Sequence, residues 1–146
     1  MSDVPKVMII DDNRGDLLLI TETLAECHDA VEVEAVQNAV QAYEYFRELK
    51  RRDAATRPRL ILLDLNMPIY RGTEVLYYLK HDADFKAIPI IVFTSSAAPN
   101  DRMECEMLGV DEYIPKPMEL AGFKQIIHEM KRKYLGCCHE TDCSLA

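Results

Sequence analysis

Two apolar runs in this chain end abruptly in acid. Val7-Met8-Ile9-Ile10 meets Asp11 and Asp12, and Leu60-Ile61-Leu62-Leu63 meets Asp64. Two further runs end in groups able to hold an anion. One leads into Thr94 and Ser95, the other into Lys116. Carboxylates brought together raise each other's pKa unless a cation compensates. Their oxygens suit Mg²⁺, a hard ion that takes a few protein ligands and keeps several waters. Three carboxylates, one dication and one ammonium balance in formal charge, so a phosphoryl group could enter. Phosphoryl transfer asks mainly for positioning and neutralisation, and a carboxylate can be the nucleophile. Asp64 ends the run expected to be central and is the candidate nucleophile. Asp11 and Asp12 are placed to hold metal, Thr94 to hydrogen-bond a phosphoryl oxygen, and Lys116 to pair with it.

Positioning such groups needs a scaffold. Five short apolar runs read as strands: Lys6 to Ile10, Val31 to Val36, Leu60 to Leu63, Ile88 to Phe93 and Glu112 to Ile114. Between them lie amphipathic segments. The first helix is expected from about Arg14 to Cys27, inward through Leu17, Leu18, Thr21, Leu24 and Ala25. The second runs from about Asn38, its cap, to Asp53, inward through Ala39, Ala42, Tyr43, Phe46 and Leu49. The third spans about Gly72 to His81 through Val75, Leu76 and Leu79. The fourth starts near Pro99 and stops at Gly109. The fifth runs from about Glu119 to Tyr134 with a stripe of Leu120, Phe123, Ile127, Met130 and Tyr134. Five βα units predict an α/β fold: a doubly wound, five-stranded parallel sheet, flavodoxin-like, in strand order 2-1-3-4-5. In that order strands one and three adjoin at a topological switch point, where the acidic ends would meet.

The 146 residues fit one domain, expected over 1–135, with a flexible tail over 136–146. Twenty-five acids against 17 bases give a net charge of −8, which argues against nucleic-acid and anionic-membrane binding. No apolar stretch approaches the roughly 18 residues of a membrane span. Five cysteines without framework spacing read as reduced thiols, and the expected location is cytoplasmic. Cys137, Cys138, His139 and Cys143 fit no standard zinc spacing. His28, His81 and His128 read as surface residues. Lys50 to Arg59 reads as a solvated helix end, and His81 to Ala87 as a polar loop.

In order along the chain, Asp11-Asp12, then Leu62-Leu63-Asp64-Leu65-Asn66-Met67-Pro68, then Thr94-Ser95, then Tyr113-Ile114-Pro115-Lys116-Pro117 resemble the receiver domain of two-component response regulators. The likeness covers about residues 5 to 134. It implies that Asp64 is the phosphoacceptor, taking a phosphoryl group from a sensor histidine kinase. It implies that Asp11, Asp12 and Asp64 hold Mg²⁺ with the backbone carbonyl of Asn66. Thr94 and Tyr113 would form a switch pair, and Lys116 would contact the phosphate, followed by a cis bond to Pro117. The output would be contact with a downstream protein, and the face of helix four, strand five and helix five could support a homodimer. The run Asp12-Asn13-Arg14-Gly15-Asp16-Leu17, the Asp-Leu-Asn-Met-Pro run and the long loop before strand four resemble single-domain regulators associated with phytochromes. Such a protein is a signalling switch whose chemistry is confined to its own phosphoryl group.

The competing readings are an Mg²⁺-dependent aspartate-nucleophile phosphatase and a phosphorelay intermediate. The phosphatase needs a second acid two residues after its nucleophile, and that position is Asn66. A flavin-binding reading fails because the first loop offers acids where phosphate needs amide donors. Asn66 and Ser96 flank the expected phosphate and could position water.

Overall fold

The structure, a computed structural model, describes residues 4–26 and 29–136. Its elements alternate: β1 (Lys6–Ile10), α1 (Arg14–Leu24), β2 (Glu32–Val36), α2 (Ala39–Leu49), β3 (Leu60–Leu63), α3 (Gly72–Lys80), β4 (Ile90–Thr94), α4 (Pro99–Met107), β5 (Glu112–Pro115) and α5 (Leu120–Leu135). A short 3-10 turn, Ala54–Thr56, precedes β3. The strands are parallel in the order β2-β1-β3-β4-β5, the expected flavodoxin-like arrangement.

Alternation along each strand splits the core in two, as a sheet covered on both faces requires. Met8, Ile10, Ile61, Leu63, Ile90 and Val92 face α2 and α3, where Phe46, Leu49, Leu76 and Phe85 pack. Val7, Ile9, Leu60, Leu62, Ile91 and Phe93 face α1 and α5, against Ile20, Leu24, Phe123 and Ile127. The acidic ends of β1 and β3 emerge side by side because Ile10 registers with Leu63.

Helix boundaries follow local chemistry. The side-chain oxygens of Asn13 and Asn38 accept the amides of Asp16 and Gln41 and cap α1 and α2. Pro99 opens α4. Gly109, with φ of 90°, follows it in the left-handed region that favours glycine. Gly136, at φ 62°, ends α5 the same way.

Several expectations are corrected. The inward face of α1 is Leu17, Ile20, Thr23 and Leu24; Leu18 and Ala25 are exposed, because the helix turns Ile20 rather than Leu18 toward the sheet. Leu120 is exposed, since it is the first residue of α5, and Leu135 closes the buried stripe at the other end. No cis peptide bond occurs among the described residues, so Lys116–Pro117 is trans, the form favoured by roughly 0.5–1 kcal/mol even before proline. The basic segment after α2 is not simply solvated. Lys50 pairs with Asp82 at 2.6 Å and Asp84 at 3.1 Å, and Arg57 meets Asp84 at 3.5 Å. His128 is half-buried and lies 3.2 Å from Glu26. The expected tail over 136–146 falls outside the described residues except for Gly136, and Cys27 and His28 also lie outside them. Among the described residues no helix is long and apolar enough to cross a membrane.

Candidate metal centre

Three residues of the site stand one step beyond a strand and continue its ladder. Asp11 N–H donates to Val36 O at 3.1 Å, and Asp64 N–H to Ile10 O at 2.9 Å. Lys116 N–H donates to Thr94 O at 2.7 Å. Backbone pairing therefore fixes the direction in which each side chain leaves the sheet edge. Gly72, the first residue of α3, closes the floor. A Cβ there would lie 2.4 Å from Asp64 O and 2.7 Å from Leu65 Cα, so only glycine lets α3 approach this closely. Between them the loop passes through Ile69 with φ of 70°, an outlier for a β-branched residue, and 85% exposed.

The acids converge. Asp11, Asp12 and Asp64 each offer a carboxylate oxygen, and these oxygens lie within 4.8 Å of one another. Asp11 and Asp64 are buried and Asp12 is exposed, so the cluster opens to solvent on one side. Mg²⁺ holds oxygens at about 2.1 Å, so ligands on opposite sides stand roughly 4 Å apart. The three carboxylates thus fit around one ion with a small inward shift, and their hard oxygens suit it. The electrostatics also call for a cation. Burial, with the charge of Asp64 adding to it, pushes Asp11 up from 3.8 to about 6, although Lys116 and the Asn13 amide pull the other way. Asn66 N–H folds back toward Asp64 Oδ1 at 3.4 Å, and its side chain is exposed.

Lys116 is the fixed cation. Its Nζ lies 2.7 Å from Asp11 Oδ2, 2.7 Å from Asp16 Oδ2 and 3.7 Å from Asp64 Oδ2. Burial alone would lower its pKa, but the hydrogen bonds to Asp11 and Asp16 outweigh that and raise it. Asp16 was missed from sequence. In the first turn of a helix an acid ordinarily serves the helix dipole, and nothing local marks it as a partner 100 residues away. Its presence changes the charge balance: four carboxylates against one ammonium leave three negative charges, and a dication leaves one.

Thr94 is fully buried at the end of β4, and its Oγ1 accepts the Ser96 amide at 3.2 Å. The Tyr113 ring is buried, and its hydroxyl donates to Ser96 O at 3.1 Å. Arg102 stacks over that ring at 5.4 Å from its centroid. Ser96 thus joins the two residues, and its own hydroxyl donates to Asp101 on α4. Asp101 in turn meets Arg71, the residue before α3, at 3.2 Å. Ser95 is exposed.

Residues 7–128 match the family model described as the response regulator receiver domain. The chain is 30% identical over 135 residues to response regulator Rcp1 of Synechocystis sp., covering 92% of each. Among solved structures, the phosphorylated cyanobacterial phytochrome response regulator RcpA is similar at TM-score 0.83 and 36% identity, over 90% of this chain and 94% of that one. The Mn²⁺-bound form of Rcp1 is similar at TM-score 0.82 and 27% identity, over 92% of this chain and 97% of that one.

Proposed function

Since the chain belongs to the response regulator receiver family, we propose that Asp64 is its phosphoacceptor and that phosphorylation there changes its contacts with another protein. The observation that carries this reading is the position of Asp64: buried, beside Asp11 and Asp12, with Lys116 Nζ at 3.7 Å. The donor is the phosphohistidine of a sensor histidine kinase. A carboxylate oxygen of Asp64 attacks phosphorus in line; the P–O bond forms as the P–N bond breaks, and the electron pair stays on the donor imidazole. Asp11, Asp12 and Asp64, with the carbonyl of Asn66, would hold Mg²⁺, which when bound would neutralise charge on the phosphoryl oxygens. Mn²⁺ in the Rcp1 structure supports a divalent ion at this site. Lys116 pairs with the phosphoryl group, and Thr94 offers it a hydroxyl hydrogen bond. Thr94 and Tyr113, already joined through Ser96, form the switch pair.

The likeness to RcpA supports a kinase of the phytochrome type as donor. The receiver unit is taken as 1–135. Met103 and Met107 on α4, with Leu120 at the start of α5, are exposed and support the α4–β5–α5 face as the surface for a partner or a second copy.

The chain is a signalling protein rather than a dedicated enzyme, and the phosphatase alternative is not favoured. Asn66 stands where the phosphatase would need its general acid, and an amide cannot donate a proton in that way. Phosphate release during incubation with Mg²⁺ and a phosphate ester, beside a small acyl phosphate as donor, tests this. A receiver accepts one phosphoryl group per chain and hydrolyses it slowly. Sustained multiple turnover on phosphate esters would overturn the reading.

A further inference from the structure

We propose that Asp16 is a positioning residue that holds Lys116 away from Asp64 and so restrains phosphoryl acceptance while favouring metal binding. The inference rests on the reading of Asp64 as phosphoacceptor. Lys116 Nζ makes two close contacts, to Asp11 and Asp16 at 2.7 Å each, and leaves Asp64 at 3.7 Å, beyond hydrogen-bond distance. The Lys116 side chain is only 7% exposed, so water does little to replace a lost partner. Its backbone is tied to Thr94, so only the side chain can move. Asp16 is anchored through its backbone. It sits in the first turn of α1, its amide bound by Asn13 Oδ1, where the helix N-terminus favours its negative charge.

The contest follows from these distances. Asp11 belongs to both the metal cluster and the lysine. When a dication draws on Asp11, Asp16 remains the partner of Lys116 outside the cluster. That keeps the ammonium from competing with the metal for Asp11 and Asp64. A phosphoryl group on Asp64 brings roughly two negative charges, and Lys116, 3.7 Å from Asp64 Oδ2, closes on it against the pull of Asp16. Asp16 therefore helps the metal and opposes the phosphoryl contact. These opposite signs distinguish it from a residue that merely supports the fold.

The test uses the full chain and its Asp16→Asn variant. Mg²⁺ affinity is measured by calorimetry without phosphodonor. Phosphoryl acceptance from acetyl phosphate is measured at saturating Mg²⁺, where the Asp64–phosphorus bond forms as acetate leaves with its electron pair. High salt screens the general attraction of an anionic donor but not a contact pair. Asp16→Asn is expected to weaken Mg²⁺ binding at least roughly threefold and to speed acceptance by a similar factor. Asp16→Ser, which suits the first turn of a helix, makes the same prediction should the amide disturb folding. Parallel loss of both quantities, or no change in either, overturns the role of Asp16. Acceptance that persists in Asp64→Asn overturns the underlying reading instead, so the two failures are separable.

Discussion

At the residue scale, Asp11 carries the main cost of the site. Its pKa of about 6 lies above the ordinary 3.8, chiefly through burial. The folded state therefore holds more protons than the unfolded one between those values. Metal-free stability falls as pH rises through that window, and above it the ionised acid is a standing penalty. A dication removes the penalty but needs the carboxylate deprotonated. Mg²⁺ affinity, measured by calorimetry across pH 5 to 8, is thus expected to plateau above about pH 7. Below pH 6 it should fall, approaching about tenfold per pH unit as one proton competes. A flat profile from pH 5 to 7.5 would place Asp11 outside the metal-binding set. Asp11, Asp12, Asp64, Thr94 and Lys116 were legible in sequence because each follows an apolar run closely, and a parallel sheet sends all such ends to one edge. Asp16 was not, because its partner is chosen by tertiary geometry. The sequence leads one to expect Ser96 beside the phosphate, but its bonds to Tyr113 and Asp101 could not be read from spacing.

At the element scale, the approach of α3 to β3 is the tightest constraint on the site. Gly72→Ala puts a methyl group into the Asp64 carbonyl, and backbone rather than a flexible side chain must give way. A loss of about 1–3 kcal/mol in urea unfolding is expected, with slower phosphoryl acceptance because Asp64 shifts. Unchanged stability and acceptance would mean that α3 is free to slide. The helices were legible as elements, yet their faces were less so. Leu18 and Ile20 both suit a core, and only the docking angle of α1 decides for Ile20. On α5, Lys131 is fully buried although the apolar stripe passes beside it. Its ammonium donates to Leu24 O at 2.6 Å, satisfying a carbonyl at the end of α1, and to Asp29 O at 2.9 Å in the segment before β2. A sequence shows the charge of such a lysine but not the carbonyls that take it inside.

At the scale of the whole molecule, strand order follows from five alternating units and right-handed crossovers. It matters because it sets β1 beside β3 and β4 beside β3, which gathers residues from positions 11 to 116 at one edge. The two half-cores pack against opposite faces of the sheet that presents this edge. The most direct measurement is intact mass after incubation with Mg²⁺ and acetyl phosphate, on the native chain and on Asp64→Asn. The native chain is expected to gain the mass of one phosphoryl group, removed by mild base, and Asp64→Asn to gain none. A base-labile phosphoryl group retained on Asp64→Asn, or none on the native chain at saturating Mg²⁺, would contradict it.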